Sequence, residues 1–271
     1  MVINPISPVA VNIFGLEIRW YALAYIAAFI IGYWLMRRLA GKNPPVSLQS
    51  KKLWDDLLAA VIIGVIVGGR LGYVLFYNLS FFIEHPLEIF AVWHGGMAFH
   101  GGLLGAMTGV FIFAKRQIKQ TLAILDIMAV VAPIGLFFGR IANFINIEVM
   151  GRATDGPLGI VFAGTGDQTP RYPSPLFEAG LEGILLFLIM FCLWKFTNLR
   201  KTLGALSGIF AMLYAVFRIF AEQFREPDAQ IGFLTGWGLT MGMLLSALMF
   251  VAGAAVLWSA FRARKICADK P

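Results

Sequence analysis

Charge is what this chain has least of. Asp, Glu, Lys and Arg make up 14% of its 271 residues, where a soluble domain carries about 25%. Apolar residues reach 59% and the mean hydropathy is +0.78, which excludes a water-soluble globular domain. Cysteine is nearly absent: Cys192 falls inside an apolar span and Cys267 in the C-terminal tail, so no bridge is expected. No Cys/His spacing of the metal-binding kind occurs, and nothing in the sequence calls for a metal or another cofactor. Residues 1–18 lack a basic start, an apolar core and a small-residue cleavage site, so no cleavable signal peptide is expected. No internal repeat is visible, which argues against a transporter built on repeated halves.

What is present is a series of apolar runs. Seven stretches have roughly the 17–25 residues that a bilayer crossing takes: 20–36, 57–77, 98–114, 121–138, 178–194, 205–222 and 238–258. The expected fold is therefore all-α, a polytopic helical membrane bundle forming one domain over 1–271. Outer-face loop regions are expected near 78–97 and 139–177. In the first, Phe81, Phe82, Ile83, Leu87, Ile89, Phe90 and Trp93 suggest an amphipathic segment in the interface. In the second span Gly64, Gly68, Gly69 and Gly72 suit close helix packing in lipid.

Charge orients the bundle. The net charge of +7 comes from basic residues in short loops, so it reports topology and not a nucleic-acid partner. Alternate connections hold Arg37, Arg38, Lys42, Lys51 and Lys52, then Lys115, Arg116 and Lys119, then Lys195, Arg200 and Lys201. The C-terminal tail adds Arg262, Arg264, Lys265 and Lys270. These fifteen of the 22 basic residues include every lysine. The positive-inside rule makes them cytoplasmic, with the N-terminus outside and the C-terminus inside. The other seven are all arginine, at 19, 70, 140, 152, 171, 218 and 225, on the outer side or in the outer part of a span. A charge near the bilayer centre costs about 2.5–3.5 kcal/mol on insertion scales, and the arginine fork suits phosphate. An anionic headgroup is the expected partner, with two or three of the seven pairing instead with Glu148, Glu178, Glu182 or Glu222.

Several of these residues fall in patterns. GRIANFINIEVMG, residues 139–151, brings Arg140, Asn143, Asn146 and Glu148 to a span end, with Gly151 suited to a turn or close approach and Glu148 able to hold Arg152 or another arginine. Tyr214, Arg218, Glu222 and Arg225 are spaced 4, 4 and 3, so they line one helical face just before Pro227. Arg70 shares a face with Tyr73 and Tyr77, about 20 Å along its helix from the cytoplasmic side. Tyr21 sits at the outer end of the first span, where aromatic residues collect at the interface. His100, between Gly95–Gly96 and Gly101–Gly102, is either a proton acceptor or a histidine hydrogen-bonded in the bundle. His94 and His85 are weaker candidates, and Asp126 reads as an interfacial carboxylate.

The motifs RWYALAY, GGRLGYVLFYN, GGMAFHGG, the 139–151 signature, RYPSPLFEAGLEG and FRIFAEQFREPDAQ occur in this order along nearly the whole chain. In this the sequence resembles the bacterial phosphatidylglycerol–prolipoprotein diacylglyceryl transferases. It departs from the pattern at Pro175 and Phe177, where relatives commonly carry Gln and Tyr. The resemblance implies an enzyme of the inner membrane with its site toward the outer leaflet. It would move a diacylglyceryl group from phosphatidylglycerol to the cysteine that follows a prolipoprotein signal sequence. His100, Arg140 and Arg218 are then the expected catalytic residues, His100 as a proposed base. Tyr21, Arg70, Asn143, Asn146, Glu148, Gly151, Tyr214, Glu222 and Arg225 are the expected substrate-binding ones. A transporter or binding protein for an anionic lipid or solute is the alternative. An intramembrane protease lacks support, because Ser174 sits in a Pro-rich loop with no histidine partner in evidence.

Overall fold

The computed structural model describes residues 1–13, 16–41, 50–92, 95–163, 166, 168–227, 232–236 and 238–268. Trp93, His94, Lys42, Lys270 and positions 228–230 of the FREPDAQ motif lie outside the described residues, as does the side chain of Cys267. The helices in chain order are α1 (Trp20–Ala40), α2 (Lys51–Phe76), α3 (Leu79–Glu84), α4 (Phe99–Phe113), α5 (Ile118–Ile145), α6 (Ser174–Glu178), α7 (Leu186–Phe196), α8 (Ala205–Ala221) and α9 (Met241–Ala268). A π-helical segment, Ala179–Leu185, joins α6 and α7 into one apolar helix over Ser174–Phe196. Among the described residues five helices are long and apolar enough to cross a membrane: α1, α2, α5, the α6–α7 composite and α9. α4 and α8 occupy the expected third and sixth spans. At 15 and 17 residues they are shorter than the roughly 20 of a typical crossing.

The structure differs from the sequence reading at element ends. α5 continues through Ile145, so Arg140 and Asn143 are helical and the loop begins only after them. The reason is that Ile141, Phe144 and Ile145 carry the apolar spacing past Gly139. α8 stops at Ala221, well before Pro227, because residues 224–226 turn into extended pairing with 150–152. Short strands also form that the all-α reading did not contain: β1 (Val2–Ile3) runs parallel to β4 (Val161–Phe162), and β2 (Val9–Ile13) antiparallel to β3 (Leu16–Arg19). β-Branched residues recur in VAVNI, as strands favour.

Two compact units make up the chain. The larger takes in Met1–Leu39, Ile127–Pro227 and the chain from Phe233 onward; the smaller takes in Ala40–Asp126. In the smaller unit α2 and α4 meet along glycines at fourfold spacing. A Cβ on Gly64 or Gly68 would run into the carbonyl of Gly105 or Gly101, and one on Gly72 would stand 2.7 Å from Gly101 Cα. Close backbone approach of this kind gains dispersion contact where lipid removes any hydrophobic drive between helices. α3 and the 3₁₀ turn Pro86–Phe90 follow α2, with Phe82 buried while Ile83, Leu87 and Phe90 stay exposed. In the larger unit α8 packs on α9 around Gly208 and Gly253, where a Cβ on Gly253 would stand 2.8 Å from Gly208 O.

Overpacking a tight seam costs about 1–3 kcal/mol or more. Gly105→Leu is therefore expected to lower the thermal midpoint of the detergent-solubilised protein by several degrees. Gly135→Ala, whose Cβ would meet nothing within 4 Å outside its own helix, is expected to leave it unchanged or raise it. Equal midpoints for the two variants would refute the glycine seam.

Candidate active site

Three arginines and three glutamates meet inside the larger unit. Arg140 on α5 directs Nε to Glu178 Oε2 at 2.7 Å and Nη2 to Glu182 Oε2 at 3.2 Å. Arg218 on α8 places Nη1 3.0 Å from the same Glu178 oxygen and 3.7 Å from Glu182 Oε1, and Nη2 2.7 Å from Glu222 Oε2. Arg225 Nη1 lies 3.9 Å from Glu178 Oε1. Glu178 and Glu182 are fully buried, while the side chains of Arg140, Arg225 and Arg218 keep 14%, 12% and 7% of their exposure. Formal charge cancels, as an apolar interior requires. Tyr214, one turn below Arg218, is fully buried and stacks on Phe210 at 6.2 Å.

Local structure explains why these groups meet. Glu178 closes α6 and Glu182 lies in the π-helical segment that follows, one turn away on the same side. Single π turns recur at functional sites because they re-aim side chains. Gly183 lets this segment close on α5, since a Cβ there would stand 2.9 Å from Phe137 Cα, one turn before Arg140. The expected stripe of Tyr214, Arg218 and Glu222 survives on α8, with Glu222 at its C-terminal cap. Glu178 and Glu182 were foreseen only as ion-pair partners of the arginines and not as site residues. Two carboxylates four apart inside an apolar span were the signal for them.

The 139–151 signature folds differently from expectation at Glu148. Its carboxylate accepts hydrogen bonds from Asn143 Nδ2 at 3.1 Å and Asn146 Nδ2 at 3.3 Å, not from an arginine. Arg152, expected as its partner, instead donates from Nε to Arg225 O at 2.9 Å and from Nη2 to Glu222 O at 3.3 Å, and lies over the Phe233 ring. Main-chain carbonyls at the frayed end of α8 thus win the guanidinium. Ile147 and Val149, on either side of Glu148, adopt φ of 55° and 59°. For β-branched residues this costs on the order of 1–3 kcal/mol each, so the turn presenting Glu148 is strained. Gly151 sits where three chain segments converge: its N–H donates to Tyr172 O at 2.9 Å, and it bridges to Arg225. A Cβ there would stand 2.5 Å from both Phe224 O and Tyr172 O, so close approach makes glycine necessary. Ser174, buried, donates to Val149 O at 2.9 Å and ties α6 to this turn.

Tyr21 lies in the first turn of α1, its ring 5.1 Å from that of Tyr25. Tyr25, not singled out from the sequence, lies within electrostatic reach of both Arg140 and Glu148. Arg171 reaches Glu226 Oε2 and Gly151 O, each at 3.3 Å. Of the seven arginines outside the lysine-bearing stretches, 140, 218 and 225 pair with the glutamates named from the sequence.

Arg70 and His100 belong to the smaller unit and form an arrangement of their own. Arg70, 5% exposed, donates Nε to Ile89 O at 3.0 Å, Nη1 to Gly96 O at 3.2 Å and Nη2 to Ala91 O at 3.2 Å. It also bonds the carbonyls of Gly95 and Glu88 and sits over the Phe82 ring. Through these main-chain carbonyls Arg70 knots the chain ahead of α4 onto α2. Ala98 N–H donates to Gly69 O at 2.9 Å, completing the attachment. His100 follows in the first turn of α4, its ring edge-to-face with Phe99. His85 is exposed, with Nδ1 3.2 Å from Phe81 O. Asp126, expected at an interface, is 2% exposed within α5. Among the described residues no group of three or more His, Cys, Asp or Glu is placed to hold a metal ion.

A shared carboxylate, two forked guanidiniums and a strained polar turn can hold a phosphate and favour its departure. Comparison with known proteins gives the same direction. Residues 8–259 match the family model described as prolipoprotein diacylglyceryl transferase. A phosphatidylglycerol–prolipoprotein diacylglyceryl transferase of Methylocella silvestris is 50% identical over 265 residues, covering 95% of this chain and 94% of the relative. Relatives of that same name from Rhodospirillum rubrum and Bradyrhizobium diazoefficiens are 48% and 49% identical, covering 96% and 94% of this chain and 94% and 92% of their own lengths. With the match running through every motif of the site, this chain belongs to the prolipoprotein diacylglyceryl transferase family.

Proposed function

We propose that this protein is an enzyme that transfers the diacylglyceryl group of phosphatidylglycerol to the thiol of the cysteine following a prolipoprotein signal sequence. This would be the first step of lipoprotein maturation. The observation that carries the reading is the convergence of Arg140 and Arg218 on one oxygen of Glu178. Two cations held side by side by a fixed anion are preorganised for a phosphate, and preorganised charge is the largest catalytic resource such a site has. In the step itself, sulfur bonds to the terminal carbon of the diacylglyceryl group while the bond from that carbon to the phosphate oxygen breaks. Glycerol phosphate leaves with the electron pair and the thiol proton goes to a base. A free thiol with pKa near about 8.5 is mostly protonated at neutral pH, and His100 is the proposed acceptor, directly or through water. Arg140 and Arg218 hold the phosphate and stabilise its added charge on departure. Asn143, Asn146 and Glu148 form the polar turn beside them, Gly151 and Arg225 fix that turn, Tyr214 borders the arginines, and Tyr21 is assigned to lipid contact beside Tyr25. Arg70 acts by holding the loop that leads to His100.

The bundle is proposed to cross a bacterial inner membrane seven times, α4 and α8 included. Its N-terminus and the arginine cluster face the outer side, and its lysine-bearing loops the cytoplasm. The partners are phosphatidylglycerol, the prolipoprotein and membrane lipid, with no nucleic acid.

The test is purified protein in detergent with phosphatidylglycerol and a peptide carrying a signal-sequence cysteine, read by mass spectrometry. The expected result is a gain of one diacylglyceryl group, absent when the peptide cysteine is serine. Arg140→Ala and Arg218→Ala should each slow transfer on the order of 10²-fold or more, and His100→Gln on the order of 10²-fold. Transfer left intact by both arginine variants would overturn the assignment of the cluster. Lipid bound without any gain in peptide mass would favour an anionic-lipid carrier.

A further inference from the structure

The start of α9 grips the outer end of α8 through a hydroxyl with two simultaneous bonds. Thr240, 3% exposed, precedes Met241 as the N-cap of α9. Its Oγ1 accepts the N–H of Met243 at 3.2 Å, and its carbonyl accepts the N–H of Leu244 at 3.1 Å. The same hydroxyl donates its proton to Glu222 Oε1 at 2.9 Å. Two residues on, Gly242 lies flat against that carboxylate: a Cβ there would stand 2.9 Å from Oε1 and 3.2 Å from Cδ. The positive end of the α9 dipole therefore also faces Glu222. The other carboxylate oxygen, Oε2, is the one 2.7 Å from Arg218 Nη2.

We infer that Thr240 and Gly242 are positioning residues for Arg218, acting through Glu222. The hydroxyl pins one oxygen of the carboxylate and the bare flank of Gly242 admits it, so the second oxygen holds the guanidinium at a fixed angle. The residue types fit that task. A threonine hydroxyl accepts from the cap N–H and donates to the carboxylate through one atom, whereas an aspartate cap would only accept and would repel Glu222. Orientation matters at this level because a displacement of about 1 Å of a catalytic group costs on the order of 10²-fold in rate. The inference rests on the role given to Arg218 above, and neither Thr240 nor Gly242 is asked to touch substrate.

The experiment measures kcat/KM for transfer from phosphatidylglycerol to the peptide thiol with the full chain, alongside the thermal midpoint of each variant. Thr240→Val and Gly242→Ala should each lower kcat/KM by about tenfold, while Thr240→Ser keeps most of the rate. In a Glu222→Gln background, Thr240→Val should add less than about twofold, because residues in one chain of contacts are not additive. Full additivity, a Thr240→Ser variant as slow as Thr240→Val, or wild-type rates in both Thr240→Val and Gly242→Ala would overturn the inference. Arg218→Ala separates the two levels. If it abolishes transfer while both α9 variants run at the wild-type rate, only the α9 device fails. If it leaves transfer intact, the role of Arg218 fails and the device with it. Should Thr240→Val not fold, Gly242→Ala with and without Glu222→Gln makes the same comparison.

Discussion

An arginine buried in an apolar helix bundle must be neutralised, and the site follows from how this chain meets that demand. The isolated charge would cost several kcal/mol even after relaxation. Arg140, Arg218 and Arg225 draw on Glu178 and Glu182 from the α6–α7 helix and on Glu222 at the end of α8 itself. Glu178 is the pivot, facing all three arginines. Such a cluster is a poor source of net stability, since burying six charges offsets much of what their attraction returns. What it provides is direction: Arg140 and Arg218 are each held at a fixed angle by two carboxylates or more. That is the state a phosphate-binding site needs before the lipid arrives.

Much of the remaining architecture serves to bring these groups together. Gly183 admits the π-helical segment against α5, and the start of α9 closes on Glu222. Arg152 ties the loop after α5 to the end of α8 by bonding main-chain carbonyls. Gly151 lets that loop, the 170–174 segment and residues 224–226 run together. The strain at Ile147 and Val149 is tolerated in the same place, as backbone outliers at functional sites tend to be. In the smaller unit Arg70 plays the corresponding part, gathering five main-chain carbonyls from the stretch between α3 and α4.

The helices were legible because length and hydropathy are properties of a segment. The stripe Tyr214, Arg218, Glu222 was legible because spacing of four survives in any α-helix. Partners were harder to read. Main-chain carbonyls leave no mark in a sequence, so the backbone bonds of Arg70 and Arg152 went unforeseen. The carboxylate of Glu148 was assigned to an arginine, whereas the nearer amides of Asn143 and Asn146 reach it once two β-branched residues take left-handed turns against their propensity. The short pairings β1–β4 and β2–β3 went unforeseen because ladders this brief leave too few residues to show alternation. Thr240 was not singled out, because its bond to Glu222 depends on packing between helices that no local pattern records.

The account stands on the pivot. Glu178→Gln keeps the shape and removes the charge that Arg140, Arg218 and Arg225 share, although the carboxylate itself need never touch the lipid. In a monodisperse preparation, the rate of diacylglyceryl transfer by Glu178→Gln is the most direct measurement. The expected result is a fall on the order of 10²-fold, the scale for unpairing a buried charge. Transfer at the wild-type rate would contradict the claim that the shared carboxylate holds the arginines ready.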